Sequence, residues 1–294
     1  MQVIADVGGT KTLFCMVSDE VVFSREVLTR DVKDFCASLN SFLQAASEHG
    51  FTTSTGVFAC AGPVSNGYAQ LTNASLVVAE QEIYDRTLLD DVSVVNDLYA
   101  LAHNPHAGEL LHGSDVDGAR VYLAPGTGLG VAFRTRFGAL ASEAGHADLA
   151  AYDEEELALL RAASVTGTPE YESVLCGPGL ERLYQALRLE TDPVLTADEI
   201  VSERESIASA RRATNFFGTF FGRCARNLVI ALGAKRVVLA GGVVRESFSA
   251  FAEPFFSEFV HGRYSEHLQS VAVSLMRDPY AVVRGAALLK KKKS

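Results

Sequence analysis

The chain has 294 residues, 48% of them apolar and 21% charged, a balance that indicates a folded globular protein and excludes a disordered or fibrous one. Its net charge of −10 argues against binding a nucleic acid, because phosphate backbones recruit positive surfaces. The five cysteines have no CxxC spacing, so we expect reduced thiols and neither disulfides nor a zinc site. No basic, apolar leader and no run of roughly 18 apolar residues is present, so we expect a cytoplasmic protein that binds no membrane.

The first predicted elements are two strands joined by a glycine turn, within Val3–Val17. The glycines of Asp6–Lys11 let the backbone approach a phosphate closely, and the threonine adds a hydroxyl donor. Asp6 has the carboxylate oxygens that Mg²⁺ prefers, and we expect it to hold the ion through water. The alternative is a tight hairpin turn without a ligand.

A helix and two short strands are predicted next. Asp31 is positioned to cap a helix whose apolar residues recur at helical spacing from Val32 to Ala46, and Gly50 ends it. Val57–Ala61 and Val92–Val95 are rich in β-formers and predict strands.

The second of these strands runs into Asn96 and Asp97. A carboxylate directly after an apolar strand commonly caps the following helix. It is also suitably placed to accept a proton from a substrate hydroxyl during phosphoryl transfer. The pattern leaves both interpretations open.

A second strand–turn–strand segment spans Val121–Phe133, with the turn Pro125–Gly130 rich in glycine and threonine. It is not a Walker A loop, because no Gly-Lys-Ser/Thr follows, nor a dinucleotide fingerprint, because a strand and not a helix follows. Two such hairpins in one chain indicate duplicated domains whose turns hold a polyphosphate.

Ser142–His146 places Glu143 and His146 three residues apart beside a glycine. Carboxylates and imidazoles accept and donate hydrogen bonds in ways that suit adjacent sugar hydroxyls. The alternative is an ordinary surface or core histidine. Glu172 is a further acidic candidate, although the residues alone do not single it out.

The last predicted elements are a long helix with an apolar stripe from Phe217 to Ala231, closed by Gly233, and a buried strand at Val237–Ala240. Gly241 and Gly242 then lead into a helix around Arg245–Phe256, a turn suited either to a nucleoside or simply to the change of direction. Strands alternating with helices predict an α/β fold with mixed sheets.

Taken together, these segments resemble the bacterial glucokinase family, within the actin/hexokinase/Hsp70 ATPase superfamily. The resemblance covers nearly the whole chain and preserves the order of the motifs. The matching segments are DVGGT at 6–10, VVND at 94–97, GTGLG at 126–130, SEAGH at 142–146, ESVLCGPGLERLY at 172–184 and AGGVV at 240–244.

The resemblance implies two RNase H-like (actin-like ATPase) domains, with mixed sheets flanked by helices and a cleft between them. A small domain would comprise residues 1–106 and the C-terminal helix 279–294, and a large domain residues 107–278. A homodimer that contacts itself through the large domain is also implied.

The family's site residues are carried over position by position. Asp97 would be the catalytic base of an ATP-dependent hexose kinase that makes glucose 6-phosphate, and Asp6 would hold Mg²⁺. The implied sugar ligands are Asn73, Asn96, Asp97, Glu143, His146 and Glu172. The implied ATP-binding residues are Gly8, Gly9, Thr10, Lys11, Gly126, Thr127, Gly128, Gly241 and Gly242.

Two departures concern the sugar side. The family's usual GEGGH has a glycine replaced by Ala144, and Leu76 stands where a tryptophan usually follows in the sugar-side loop. Both leave the expected ATP site intact and bear on strict glucose specificity. The alternatives are therefore a kinase for mannose, fructose or an N-acetyl hexosamine, and a sugar-binding regulator without turnover. The retained Asp97 counts against the regulator.

Overall fold

The structure is a computed structural model that describes residues 1–71, 75–165 and 167–289. Strands and helices alternate along the chain. The strands are β1 (Gln2–Val7), β2 (Lys11–Val17), β3 (Val21–Leu28), β4 (Thr55–Cys60), β5 (Val64–Ser65), β6 (Tyr68–Gln70), β7 (Val77–Ala79), β8 (Asp91–Asn96), β9 (Glu109–His112), β10 (Arg120–Pro125), β11 (Leu129–Thr135), β12 (Gly138–Ser142), β13 (Arg236–Leu239) and β14 (Ala272–Leu275).

The helices lie between these strands and after them. They are α1 (Phe35–Glu48), α2 (Glu80–Arg86), α3 (Asp97–Leu101), α4 (Glu154–Ala163), α5 (Tyr171–Val174), α6 (Gly177–Leu187), α7 (Ala197–Ser202), α8 (Ala208–Leu232), α9 (Gly242–Phe259), α10 (Ser265–Ser270) and α11 (Ala281–Ala286). In the described part of the chain, no helix combines the length and the apolar character that crossing a bilayer requires.

The chain divides into two compact units. Unit 1 contains Met1–His106, Ala139–Ala141 and the segment that starts at Asp278; unit 2 contains Ala107–Gly138 and Ser142–Arg277. The sheet of unit 1 has the order β3-β2-β1-β4-β8, and the other large sheet has the order β12-β11-β10-β13-β14-β9.

The first five strands of the second sheet repeat the order of the first. In each sheet the first strand of the hairpin pairs antiparallel with the second and parallel with the next strand inward, as β1 does with β2 and β4, and β10 with β11 and β13. The predicted duplication therefore appears as the same sheet built twice. The α/β fold class with mixed sheets flanked by helices is confirmed.

The core of unit 1 covers both faces of its sheet. Alternate β1 residues point in opposite directions, so that Val3 and Ala5 pack with α1 while Ile4 packs with Val283 of α11. The C-terminal helix is also tied down by hydrogen bonds, including one from Asn104 Nδ2 to the Ala281 carbonyl at 3.0 Å.

The core of unit 2 lies between its sheet and the two longest helices. Val121 and Leu123 of β10 belong to one cluster with the phenylalanines of α8 and α9. Helix α8 ends, as predicted, at Gly233, whose φ of 65° is the left-handed conformation that glycine adopts at little cost.

Two local predictions are wrong in detail. Helix α1 is capped by Asp34, whose Oδ1 accepts from the Ala37 N–H at 3.0 Å, and not by Asp31, which ends a short 3₁₀ turn. The apolar Val32 is buried ahead of the helix, which is why its spacing suggested an earlier start. Helix α9 begins at Gly242, three residues before the predicted position.

Candidate functional site

In unit 1, the carboxyl ends of three parallel strands meet at one edge of the sheet. Val7 at the end of β1 pairs with Cys60 of β4, and Cys60 pairs with Asn96 of β8. The glycine turn that begins at Gly8 and the carboxylate of Asp97 therefore lie at the same edge, after β1 and β8, with β4 between these two strands. Ligands of α/β folds bind beyond this kind of edge.

Burial shifts the pKa values of two groups at this edge, Cys60 and Asp6. Burial, followed by the negative charges of Asp97 and Asp6, raises the pKa of the Cys60 thiol, so this cysteine is an uncharged core residue. Burial also raises the pKa of Asp6 from 3.8 to about 6. Among the described residues, none donates a hydrogen bond to the Asp6 carboxylate.

The sequence left two interpretations open for Asp97: capping the next helix or accepting a proton from a substrate hydroxyl. Asn96 caps α3, because its Oδ1 accepts from the Tyr99 N–H at 2.9 Å, while its Nδ2 donates to the Gly62 carbonyl at 3.1 Å. Asp97 is the first residue of the helix, and its Oδ1 accepts from the Leu98 N–H at 2.8 Å. The capping interpretation of Asp97 is therefore wrong, since Asn96 takes that role.

The first glycine turn is closed by a backbone hydrogen bond of its own and is held by Thr29, the residue after β3. The Gly8 N–H donates to the Lys11 carbonyl at 2.9 Å, and Thr29 binds both the Gly8 carbonyl, through Oγ1, and the Thr10 carbonyl, through its N–H. Lys11 extends to the surface, where its ammonium pairs with Glu26 at 2.7 Å. Gly9 lies in the same turn.

The second glycine turn is contacted by the N-termini of two helices, α6 and α9. The Gly177 N–H, at the start of α6, donates to the Gly126 carbonyl at 2.9 Å. Gly241, just before α9, has a φ of 88°, and a Cβ there would lie 2.6 Å from the Pro125 carbonyl oxygen. The positive ends of both helix dipoles therefore lie at this turn, which also contains Thr127.

Parts of this turn remain open. A Cβ placed on Gly126, or on Gly242 at the start of α9, would meet no heavy atom within 4 Å. Unoccupied space next to backbone N–H groups is what an anionic ligand needs in a protein of net negative charge.

Glu172 connects the second turn to the predicted sugar ligands. Its Oε2 accepts from the Leu129 N–H at 2.7 Å, and a Cβ on Gly128 would lie 2.5 Å from that same oxygen. The carboxylate is therefore held against the turn, and a side chain at position 128 would displace it.

Unit 2 also brings His146 into a cluster of carboxylates. Its Nδ1 lies 2.9 Å from Glu170 Oε2, and its Nε2 lies 4.0 Å from Glu172 Oε1. The hydrogen bond to Glu170, more than the charges of Glu172 and Glu143, raises the pKa of the imidazole. Glu143 is exposed, directly before the 3₁₀ turn that carries His146.

The sequence analysis missed Glu170. Its only signal in the sequence is its position two residues before Glu172. What places it is an antiparallel bridge between Asp148 and Glu170, a contact made by the tertiary structure.

The remaining predicted residues concern the sugar-side loop and its departures from the family pattern. Asn73 lies outside the described residues. Leu76, in the position usually held by tryptophan, is buried in the core of unit 1. Ala144 is partly buried and packs against the core of unit 2, so its methyl group is accommodated.

Comparison with known proteins identifies the family. The family model described as Glucokinase matches residues 3–293. The chain belongs to the glucokinase family. One member, the glucokinase of Zymomonas mobilis subsp. mobilis, is 31% identical over 98% of this chain and 97% of its own length.

Solved structures of other glucokinases share the fold. A glucokinase from Balamuthia mandrillaris, crystallised with glucose, has a TM-score of 0.85 at 21% identity and covers 98% of this chain and 92% of its own. A ROK family glucokinase from Streptomyces griseus, crystallised with glucose and AMPPNP, has a TM-score of 0.69 at 19% identity, with 97% of each chain covered. The predicted family and fold are therefore confirmed, and the protein is an ATP-dependent sugar kinase of this family.

Proposed function

We propose that the protein transfers the γ-phosphoryl group of ATP to the 6-hydroxyl of glucose, with Asp97 as the general base. The observation that carries the proposal is the register of unit 1, which brings Asp97 to the same sheet edge as the glycine turn after β1. Membership in the glucokinase family supports glucose as the acceptor.

The nucleotide would be held mainly by backbone groups. Gly8, Gly9 and Thr10 would line the phosphates in the first turn, and Gly126, Thr127 and Gly128 would do so in the second. The N–H groups of Gly8 and Gly126 close their own turns, so the direct donors would come from the other residues of each turn. We propose that Gly241 and Gly242 receive the nucleoside. Lys11 would contribute through its place in the first turn, because its ammonium already pairs with Glu26 at the surface.

Asp6 has the chemistry of a magnesium ligand. Its carboxylate is half-buried, accepts no hydrogen bond from any described residue, and pays a desolvation penalty that a divalent cation would offset. Mg²⁺ bound there, through water, would neutralise phosphate charge during the transfer.

The reaction requires one proton to move. The sugar hydroxyl oxygen attacks the γ-phosphorus, the bond from phosphorus to the bridging oxygen of ADP breaks, and the hydroxyl proton passes to Asp97. The Leu98 N–H bonds one carboxylate oxygen of Asp97, which fixes the side chain on the first turn of α3. Most of the protein's contribution is then positioning.

The sugar hydroxyls would be bound by amide, carboxylate and imidazole groups. Glu143 offers an exposed carboxylate, Glu172 one fixed by Leu129, and His146 an imidazole with one nitrogen free of any bond to a described residue. We assign Asn96 to the sugar as well, through the capacity its amide has left after capping α3, and Asn73 by resemblance alone.

An ADP-release assay with a panel of hexoses tests the proposal. We expect ATP-dependent release with glucose above mannose, fructose and N-acetylglucosamine, and none with 6-deoxyglucose, which lacks the acceptor hydroxyl. If ADP is released only with a hexose other than glucose, that hexose replaces glucose as the assigned substrate. Sugar binding without release by any hexose would instead support the regulator.

Three further expectations come with this assignment. We propose a cytoplasmic homodimer that requires Mg²⁺. Sedimentation velocity measures whether the protein is a dimer, and cell fractionation measures where it is located. Titrating a chelator while following the rate of ADP release tests whether the enzyme requires Mg²⁺.

A further inference from the structure

The imidazole of His146 has a carboxylate partner, Glu170, that lies outside the set of sugar ligands. We propose that Glu170 is a positioning residue, which holds His146 so that its Nε2 presents a hydrogen-bond donor to a sugar hydroxyl. This inference rests on the proposed function of the site.

The backbone fixes where Glu170 lies. The Tyr171 N–H donates to the Ala147 carbonyl at 3.0 Å, and the Leu149 N–H donates to the Pro169 carbonyl at 2.8 Å. These two bonds flank the bridge between Asp148 and Glu170. The segment before α5 is thus paired with the segment that follows His146, and the two side chains meet without depending on a flexible loop.

The chemistry of the pair sets the ring's protonation pattern. The His146 Nδ1 lies 2.9 Å from Glu170 Oε2, and an ionised carboxylate only accepts, so Nδ1 carries a hydrogen. The Nε2 is 4.0 Å from Glu172 Oε1, which is too long for a hydrogen bond. The ring is about half exposed, at 52%, so Nε2 is accessible to a ligand.

Three carboxylates lie around this ring, on the two segments that surround it. Glu143 precedes the 3₁₀ turn of His146, Glu170 directly precedes α5, and Glu172 lies on α5. All three favour the charged imidazolium, Glu170 most strongly through its hydrogen bond, and together they outweigh burial. The imidazolium donates from Nε2, whereas the neutral ring with hydrogen on Nδ1 can only accept there.

This difference gives sugar binding a pH dependence. A charge-assisted donor binds a hydroxyl oxygen more strongly than a neutral acceptor does, so sugar affinity should fall as the pH rises through the pKa of His146. Because Glu170 raises that pKa, removing its charge should move the loss of affinity to lower pH.

Glu170→Gln keeps the shape and removes the charge. We expect the KM for glucose to rise about three- to tenfold near neutral and mildly alkaline pH, and by less than about twofold at a pH well below the ordinary histidine pKa. The kcat and the KM for ATP should stay within about twofold. Glu155→Gln, which removes an exposed glutamate of unit 2 that pairs with Arg212, is the matched control and should leave the whole profile unchanged.

Nitrogen-15 NMR of the histidine rings measures the tautomer and the pKa of His146 directly. These quantities would not change if Glu170 only stabilised the local structure. We expect the Nδ1–H tautomer and a raised pKa for His146 in the wild type, and a lower pKa in Glu170→Gln, with His146→Gln identifying the resonance. A KM that rises equally at every pH, together with an unchanged His146 titration, would overturn the proposal.

The failure of the proposed function would look different. If the wild type binds glucose but releases no ADP with any hexose, the kinase assignment fails while calorimetric glucose affinity across pH still tests Glu170. A wild-type affinity profile that is flat across the His146 titration would reject the role of Glu170 by itself.

Discussion

In the first glycine turn, the Gly8 N–H closes the loop on the Lys11 carbonyl; Asp6 lies near the end of β1, and Asp97 follows β8 at the same sheet edge. In the second turn, α6 and Glu172 bind the loop directly, through the Gly126 carbonyl and the Leu129 N–H. The two turns come from the same strand order but differ in what supports them.

The difference assigns separate tasks to the duplicated units. The first turn lies at the same sheet edge as carboxylates suited to proton acceptance and metal binding, so changes to those carboxylates should alter turnover. The second turn contacts Glu172 of the His146 cluster at Gly128 and Leu129, so changes at Gly128 should alter sugar affinity. Each prediction below tests one side of this division.

The largest effect is expected at the end of β8. Asp97→Ala should lower kcat by roughly 10²- to 10⁴-fold, the usual contribution of a positioned base, because the sugar hydroxyl loses its proton acceptor. Coupled ADP release measures kcat, and calorimetry should still detect glucose binding in part. Asp90→Asn, just before β8 begins, is the control, and a wild-type rate in Asp97→Ala would remove the assigned role.

The second effect belongs to the other unit. Glu143→Gln should weaken glucose affinity roughly ten- to a hundredfold, because a charged acceptor of hydroxyl hydrogen bonds is lost. The KM for ATP should stay unchanged. Glu253→Gln, an exposed position on α9, controls for the change in net charge. An equal loss of affinity for both substrates would contradict the division of tasks.

A third test compares two glycines of the second turn. Gly128→Ala forces Glu172 away from the Leu129 N–H, and we expect the KM for glucose to rise about tenfold. Gly126→Ala meets no protein atom, so its effect should be confined to the KM for ATP, with unchanged thermal stability. If Gly128→Ala affects ATP alone, the second turn is independent of the sugar cluster.

The smallest effect concerns stability. The pKa of Asp6 is raised to about 6, so the folded state binds more protons than the unfolded state between about pH 4 and 6, and the protein loses stability as the pH rises through that range. Asp6→Asn should therefore raise the melting temperature by a few degrees above this range and hardly at all below it. Calorimetric unfolding in a chelator, without nucleotide, measures both. An equal shift at both pH values would show that burial of the charge is not the cause.

Local patterns predicted the parts of the fold that local physics controls. Turns rich in glycine and threonine between two apolar runs indicated both hairpins, and Gly233 marked the end of α8. The same reasoning failed where two residues of one type compete nearby, as when Asp34 rather than Asp31 caps α1. Nothing in the sequence distinguishes the two aspartates, because the choice depends on Val32 being buried ahead of the helix.

By itself, the sequence determined the two hairpins, the glycines of their turns and the end of β8 at Asn96 and Asp97. Those features depend on backbone conformation and on the spacing of neighbouring residues. Only the tertiary structure decided that Val7, Cys60 and Asn96 share one register and that Glu170 bonds His146. Pairing between distant segments decides such contacts, and the free energy of pairing depends on the whole sheet and its packing.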